Sequence, residues 1–348
     1  MSELSNWHGR DDTVMEGPSA LRWHQVVQPW HERAAPGFAL LGFACDEGVR
    51  RNQGRIGAAG APAVLRQALS NLAWHQSLPL YDAGNVSCQQ GEMEAAQEQL
   101  GTRVASLLTA GQWAIVLGGG HETAWGTFQG LVSQPATGSI GIINIDAHFD
   151  LRQSDKAHSG TPFAQMADWC HIHKRPFHYL CLGIAEASNT VALFQRATAV
   201  KAQWITDEEL AISRYQLSLN KIKGFINQVD VLYLSIDLDV LPLSIMSAVS
   251  APAALGVPLE VVMHLIELIA NSGKLRIADI VEYNPLLDDQ QLGAKVAARL
   301  IWHLTRHWQP LPGNVLLLTK GELEGGQPTT INPTQPPLRR GRSKRDEA

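Results

Sequence analysis

Three apolar runs in this chain end on side chains that are costly to bury unless a cation neutralises them. They are AIVLGGGHE (114–122), IGIINIDAHFD (140–150) and VLYLSIDLDV (231–240). A short run that is apolar throughout is what a strand covered on both faces looks like. In open α/β sheets, ligands gather beyond the carboxyl ends of the strands. The three polar ends are therefore expected to converge on one place.

The rest of the chain supports such a sheet. Further strands are expected at 38–43, 178–182 and 276–281, with the polar-ended runs contributing 113–117, 139–145 and 231–236. Helical patterns lie between them at 62–74, 93–108, 123–132, 258–271 and 288–304. The fourth has proline at its start, a stripe of Val261, Val262, Leu265, Ile266 and Ile269, and Gly273 after its end. Alternation of strands and helices predicts an α/β domain with a mostly parallel, doubly wound sheet. Its expected span is 37–321, after an N-terminal surface extension at 1–36 that carries Trp7, Trp23 and Trp30. Residues 322–348, with the run LRRGRSKR, read as a disordered basic tail.

Composition narrows the function. Of 348 residues, 45 % are hydrophobic and 18 % charged, which suits a sizeable core. A formal net charge of −5 favours neither nucleic acid nor an anionic membrane as partner. The four cysteines form no CxxC pair and read as small buried apolar groups in a reducing cytoplasm. No secretory h-region opens the chain, and no run of 18 apolar residues suggests a membrane span.

Asp146, His148 and Asp150 stand at i, i+2 and i+4, so an extended backbone turns all three to one side. Asp237 and Asp239 repeat that spacing. His121 follows three glycines, which permit a sharp turn and close approach. Each motif alone has a bland reading: a tight turn, a helix cap, a structural histidine. Together, four aspartates carry four negative charges that two divalent cations would balance, which favours a binuclear site.

GGGHE, NIDAHFD and SIDLDVLP resemble the three signature segments of the arginase–agmatinase–formimidoylglutamase (ureohydrolase) family. The resemblance runs from about Trp7 to Leu304 and implies the three-layer arginase-like fold. It also implies two Mn2+ per chain, with zinc, cobalt or iron able to use the same ligands. His121, Asp146, Asp150 and Asp237 would hold one ion, and His148, Asp146, Asp237 and Asp239 the other, with Asp146 and Asp237 bridging. Glu282 in VEYNP matches the glutamate of the family's E-x-N-P segment, which faces the cationic substrate group.

Within the family, WHGRDD (7–12), RWHQVV (22–27), DEGVRRNQGRIGA (46–58), GGGHETAWG (118–126), DAHFDLR (146–152) and SGTPF (159–163) resemble the formimidoylglutamase branch, which acts in histidine degradation. Two departures stand out. Arginases and agmatinases carry a histidine directly before the glycine of an HG segment; here Ser159 fills that place and His158 lies one position earlier. Ser247-Ala248 stand where formimidoylglutamases often have Pro-Gly.

The implied reaction is cleavage of N-formimidoyl-L-glutamate to L-glutamate and formamide by a metal-bridging hydroxide. Asp150 would relay the proton to the leaving nitrogen, and Glu282 would pair with the amidinium. Arg152, with His158 and Ser159 near it, is the candidate for binding the substrate carboxylates. The family further implies a cytoplasmic homo-oligomer, trimer or hexamer. The rival activities are agmatinase, arginase or another guanidine hydrolase. A catalytically silent relative should have lost ligands, and a dinucleotide-binding protein would lack DxHxD.

Overall fold

The computed structural model describes residues 3–134 and 138–309. The expected tail at 322–348 lies outside the described residues.

Nine strands form one sheet: β1 Val27–Pro29, β2 Phe38–Ala44, β3 Leu80–Ser87, β4 Trp113–Leu117, β5 Ile140–Ile145, β6 His178–Ile184, β7 Gln203–Thr206, β8 Val231–Asp237 and β9 Leu275–Val281. Their order is β1-β3-β2-β4-β9-β8-β5-β6-β7, and every pairing between named strands is parallel. The six expected strands are all present, shifted at their ends by a residue or two.

Helices cover both faces. On one lie α1 Ala61–Ser70, α6 Tyr215–Asn227, α7 Leu259–Ala270 and α8 Leu292–His307; on the other lie α2 Met93–Thr109, α3 Thr123–Val132, α4 Pro162–Ile172 and α5 Val191–Ala199. Alternate strand residues feed the two resulting cores. Phe38 and Leu40 join the first with Leu65 and Val261, while Ala39, Leu41 and Phe43 join the second with Leu100 and Phe128. This three-layer α/β arrangement explains why the central strands are buried at almost every position and mostly apolar.

Several elements differ from the sequence expectation. β3 was not expected because LYDAGNVS carries Asp82 and Asn85, polar groups that look wrong for a buried strand. The fold resolves this with Arg66 of α1, wholly buried, whose guanidinium forks onto both oxygens of Asp82 at 2.8 and 2.9 Å. β1 comes from the segment expected to wrap the surface, and Trp23 beside it is wholly buried. α1 ends at Ser70, short of the expected Trp74, because Arg22 bridges Ala73 and the Trp74 amide donates to Leu21 O. α8 begins at Leu292 and not at Asp288, because the Asp288 carboxylate caps the helix, accepting from the amides of Gly293 and Ala294 at 2.9 Å each. α4, α5 and α6 were not expected. Among the described residues no helix is long and apolar enough to cross a membrane.

Candidate metal centre

β4, β9, β8 and β5 are neighbours at the middle of the sheet. Ile145 of β5 is in register with Ile236 of β8, so the residues that follow, Asp146 just past β5 and Asp237 at the end of β8, lie side by side. β4 lies on the far side of β9 from β8, and its chain returns to the same place through Gly118-Gly119-Gly120. Gly119 has to be glycine: a Cβ there would fall on the carbonyl oxygen of Cys45. The Gly119 carbonyl in turn accepts from the Glu282 amide at 2.8 Å. The glycines thus bring His121 and Glu282 into one turn region.

Two groups of ligand-type side chains result. In the first, Nδ1 of His121 lies 2.8 Å from Asp237 Oδ2, 3.0 Å from Asp150 Oδ2 and 3.3 Å from Asp146 Oδ2. In the second, Nδ1 of His148 lies 3.0 Å from Asp239 Oδ2 and 3.6 Å from Asp146 Oδ1. Asp146 belongs to both groups and turns one oxygen to each. Asp237, expected to bridge as well, falls in the first group only. Its other oxygen accepts the Asp239 amide at 2.8 Å.

The electrostatics point to missing positive charge. At His121, burial opposes protonation, but Asp146, Asp150 and Asp237 raise its pKa well above the usual range. His148 is raised in the same way, by Asp239 and Asp146 against burial. Burial pushes the Asp146 carboxyl up, yet the two histidines pull it below the ordinary carboxylate range. Burial and then repulsion from Asp239 and Asp146 push Asp237 well above that range. Carboxylates crowded closely enough to raise one another and both imidazoles are groups that divalent cations would neutralise. Oδ1 of Asp239 is buried without a hydrogen-bond partner. Hard carboxylate oxygens with two imidazole nitrogens fit divalent ions such as manganese.

A polar network holds the ligands from behind. Nε2 of His121 contacts Ser235 Oγ at 3.0 Å, and Ser235 donates to Asp279 Oδ1 at 2.6 Å. The Tyr233 hydroxyl donates to the other Asp279 oxygen. Asn189 braces the 146–150 loop, accepting from the Phe149 amide and donating to Ala147 O. Such outer contacts orient ligands and set which ring nitrogen faces the ion.

A cavity of about 120 Å³ opens over both groups, lined by His148, Asp150, Asp237, Asp239 and Glu282 and by Asn52, Arg152, Ser159, Leu193, Ser250 and Ala251. Glu282 is buried with φ of 68°, and its Oε1 accepts the His121 amide at 2.8 Å. Burial and the nearby Glu122 push its carboxyl up to about 8. Asp150 also has positive φ, 48°. Arg152 stands exposed at the rim, with its stem over Gly160. Ser159 lies on the wall and accepts from Asn52 Nδ2 at 3.1 Å. His158 is not among the lining residues; its Nδ1 accepts from the Gly160 amide. Asn52 and Ser250 were not expected as site residues, although Asn52 lies inside the 46–58 stretch and Ser250 just after the Ser247-Ala248 departure. Ala248 is buried, keeps φ outside the left-handed region and accepts from the Asn284 amide at 2.7 Å. No glycine is needed there.

Comparison with known proteins agrees with this geometry. A model of the arginase family matches residues 36–306. The chain is 55 % identical over 309 residues to a formimidoylglutamase of Chromobacterium violaceum, covering 88 % of this chain and 99 % of that one. It is 53 % identical to a formimidoylglutamase of Aeromonas hydrophila, over 87 % and 98 % of the two chains. Among solved structures, Trypanosoma cruzi formiminoglutamase with Mn2+2 superposes with a TM-score of 0.72 at 25 % identity, over 82 % of this chain and 97 % of that one. Formimidoylglutamase from Bacillus subtilis superposes with a TM-score of 0.75 at 21 % identity, over 86 % and 94 %.

Proposed function

The chain belongs to the arginase family, and on that premise we propose that it hydrolyses N-formimidoyl-L-glutamate to L-glutamate and formamide. The observation that carries this reading is the 55 % identity to a formimidoylglutamase across 99 % of that protein's length. The protein is a hydrolase of amidine C–N bonds. We propose two Mn2+ per chain: one held by His121, Asp146, Asp150 and Asp237, the other by Asp146, His148 and Asp239. The manganese of the Trypanosoma cruzi protein supports the choice of metal.

When bound, the ions supply Lewis acidity and a water acidified to near neutrality. The chain's own groups do the rest. Glu282, inside the cavity, faces the amidinium head; a cation beside it restores the charge that burial disfavours. Water oxygen adds to the formimidoyl carbon, the bond from that carbon to the glutamate nitrogen breaks, and the nitrogen takes a proton. Asp150, on the cavity wall beside both the metal groups and the opening, is placed to carry that proton. Arg152, Ser159 and Asn52 line the opening where the two substrate carboxylates would sit. His158 has a different part: it accepts from the Gly160 amide and so shapes the loop that carries Ser159.

The test is product analysis with N-formimidoyl-L-glutamate, arginine and agmatine side by side. Formamide from the first and no urea from the other two is the expected result. Urea at a higher rate than formamide would replace this reading with a guanidine hydrolase.

A further inference from the structure

At the amino end of the central strand β9, away from the carboxyl strand ends that carry the metal centre, α7 and α8 end together. The Gln309 amide donates to Ala270 O at 3.0 Å, and Trp308 Nε1 donates to the carbonyl of Leu275, the first residue of β9. Their final turns bring Glu267, His303 and His307 into one group, with a ligand atom from each within 4.8 Å of the others. None of the three belongs to the active-site cavity.

We propose that Glu267, His303 and His307 form a separate binding site for a divalent transition-metal ion, zinc being the best fit, which ties α8 to α7. The side chains are set up for it. His303 and His307 are one turn apart on α8, so they share a face. Nε2 of His303 lies 3.1 Å from the Met263 carbonyl, which fixes the ring as an Nε2 donor and leaves the lone pair of Nδ1 for a ligand. A ligating histidine is usually anchored through its other nitrogen in this way. Nδ1 of His307 lies 3.7 Å from Glu267 Oε1, too far for a hydrogen bond. Two atoms each about 2.1 Å from a tetrahedral ion lie about 3.4 Å apart, so the gap suits a shared metal.

The surroundings agree. Glu267 and His307 stand in the last turns of their helices, where the dipoles favour a cation. Two imidazoles with one carboxylate select zinc, nickel or copper over manganese, unlike the carboxylate-rich active site. Three protein ligands leave a position for water.

The experiment uses the full-length, manganese-loaded protein. Parent, His307→Ala and Glu267→Gln are dialysed against micromolar zinc, and zinc and manganese are counted per chain. Both positions are partly exposed, so the variants should fold, and His303 is left in place. The parent should retain about one zinc per chain more than either variant. Zinc should also raise the melting temperature of the parent and not of the variants, while hydrolysis by the variants stays at the parental rate. Zinc that enters the active site would do so equally in all three proteins, so it cancels in the comparison. Equal zinc content in parent and variants, or an equal melting shift, would overturn the proposal.

Discussion

Asp146 turns one carboxylate oxygen toward His121 and the other toward His148, whereas Asp239 reaches only the second group. Replacing Asp146 by asparagine should therefore empty both metal positions, and Asp239→Asn only one. Metal counts per chain on the two variants check this, and equal losses would contradict the assignment. Asp150 and Glu282 both hold left-handed backbone, a conformation that costs about 1–3 kcal/mol each in residues with a side chain. The Glu282 amide is fixed on Gly119 O, which keeps its carboxylate in the cavity. Glu282→Gln keeps the shape and removes the charge facing the amidinium. A charge-assisted contact is worth about 1.5–3 kcal/mol, so kcat/KM for the formimidoyl substrate should fall roughly ten- to a hundredfold. Arg152 is exposed, so its contribution sits at the weaker end. Arg152→Ala should raise KM about two- to fivefold with metal content unchanged, and unaltered kinetics would remove it from carboxylate binding.

At the scale of elements, the turn after β4 depends on Gly119. A Cβ there meets backbone rather than a movable side chain, so the strand end must shift. Gly119→Ala should cost at least about 2 kcal/mol and displace His121, read as a lower urea midpoint together with lost metal. β3 depends on α1 in a comparable way. Arg66→Ala leaves Asp82 with Trp7 Nε1 as a side-chain donor but with no buried cation. Breaking such a pair costs about 3–5 kcal/mol, and a drop in denaturation midpoint with manganese content kept would place the effect in the scaffold. The sequence showed the predominantly apolar strands and missed β3, because Asp82 is acceptable there only once α1 has docked. β1 and β7 are too short, at 3 and 4 residues, to carry a periodic signal.

Over the whole molecule, the metal centre joins four strands that lie far apart in the chain: β4, β5, β8 and β9. Its carboxylates repel one another when no cation is present, so bound metal should act as a stabiliser of the entire fold. An ion at a hundred times its dissociation constant adds about 2.7 kcal/mol. Stripping with a chelator should lower the melting temperature by several degrees, and manganese should restore it along with activity. An unchanged melting temperature after complete removal would mean that the site is preformed without help from the ions.

What the sequence determined by itself is the local and the periodic. Apolar runs mark the central strands, and i, i+2 spacing puts Asp146, His148 and Asp150 on one side. Three glycines before His121 signal a close backbone approach, and the signature segments place the chain in its family. Tertiary structure decided what depends on contacts between distant segments. It gave Asp146 a place in both ligand groups and Asp237 a place in the first, because the two Asp146 oxygens face different histidines while Asp237 turns Oδ2 to His121. It brought Asn52 and Ser250 to the cavity wall, turned His158 toward its own loop, and drew the segment before residue 36 into the sheet as β1. A hydrophobic period is written along the chain, but which side chains share one cavity wall is set by packing between segments tens or hundreds of residues apart.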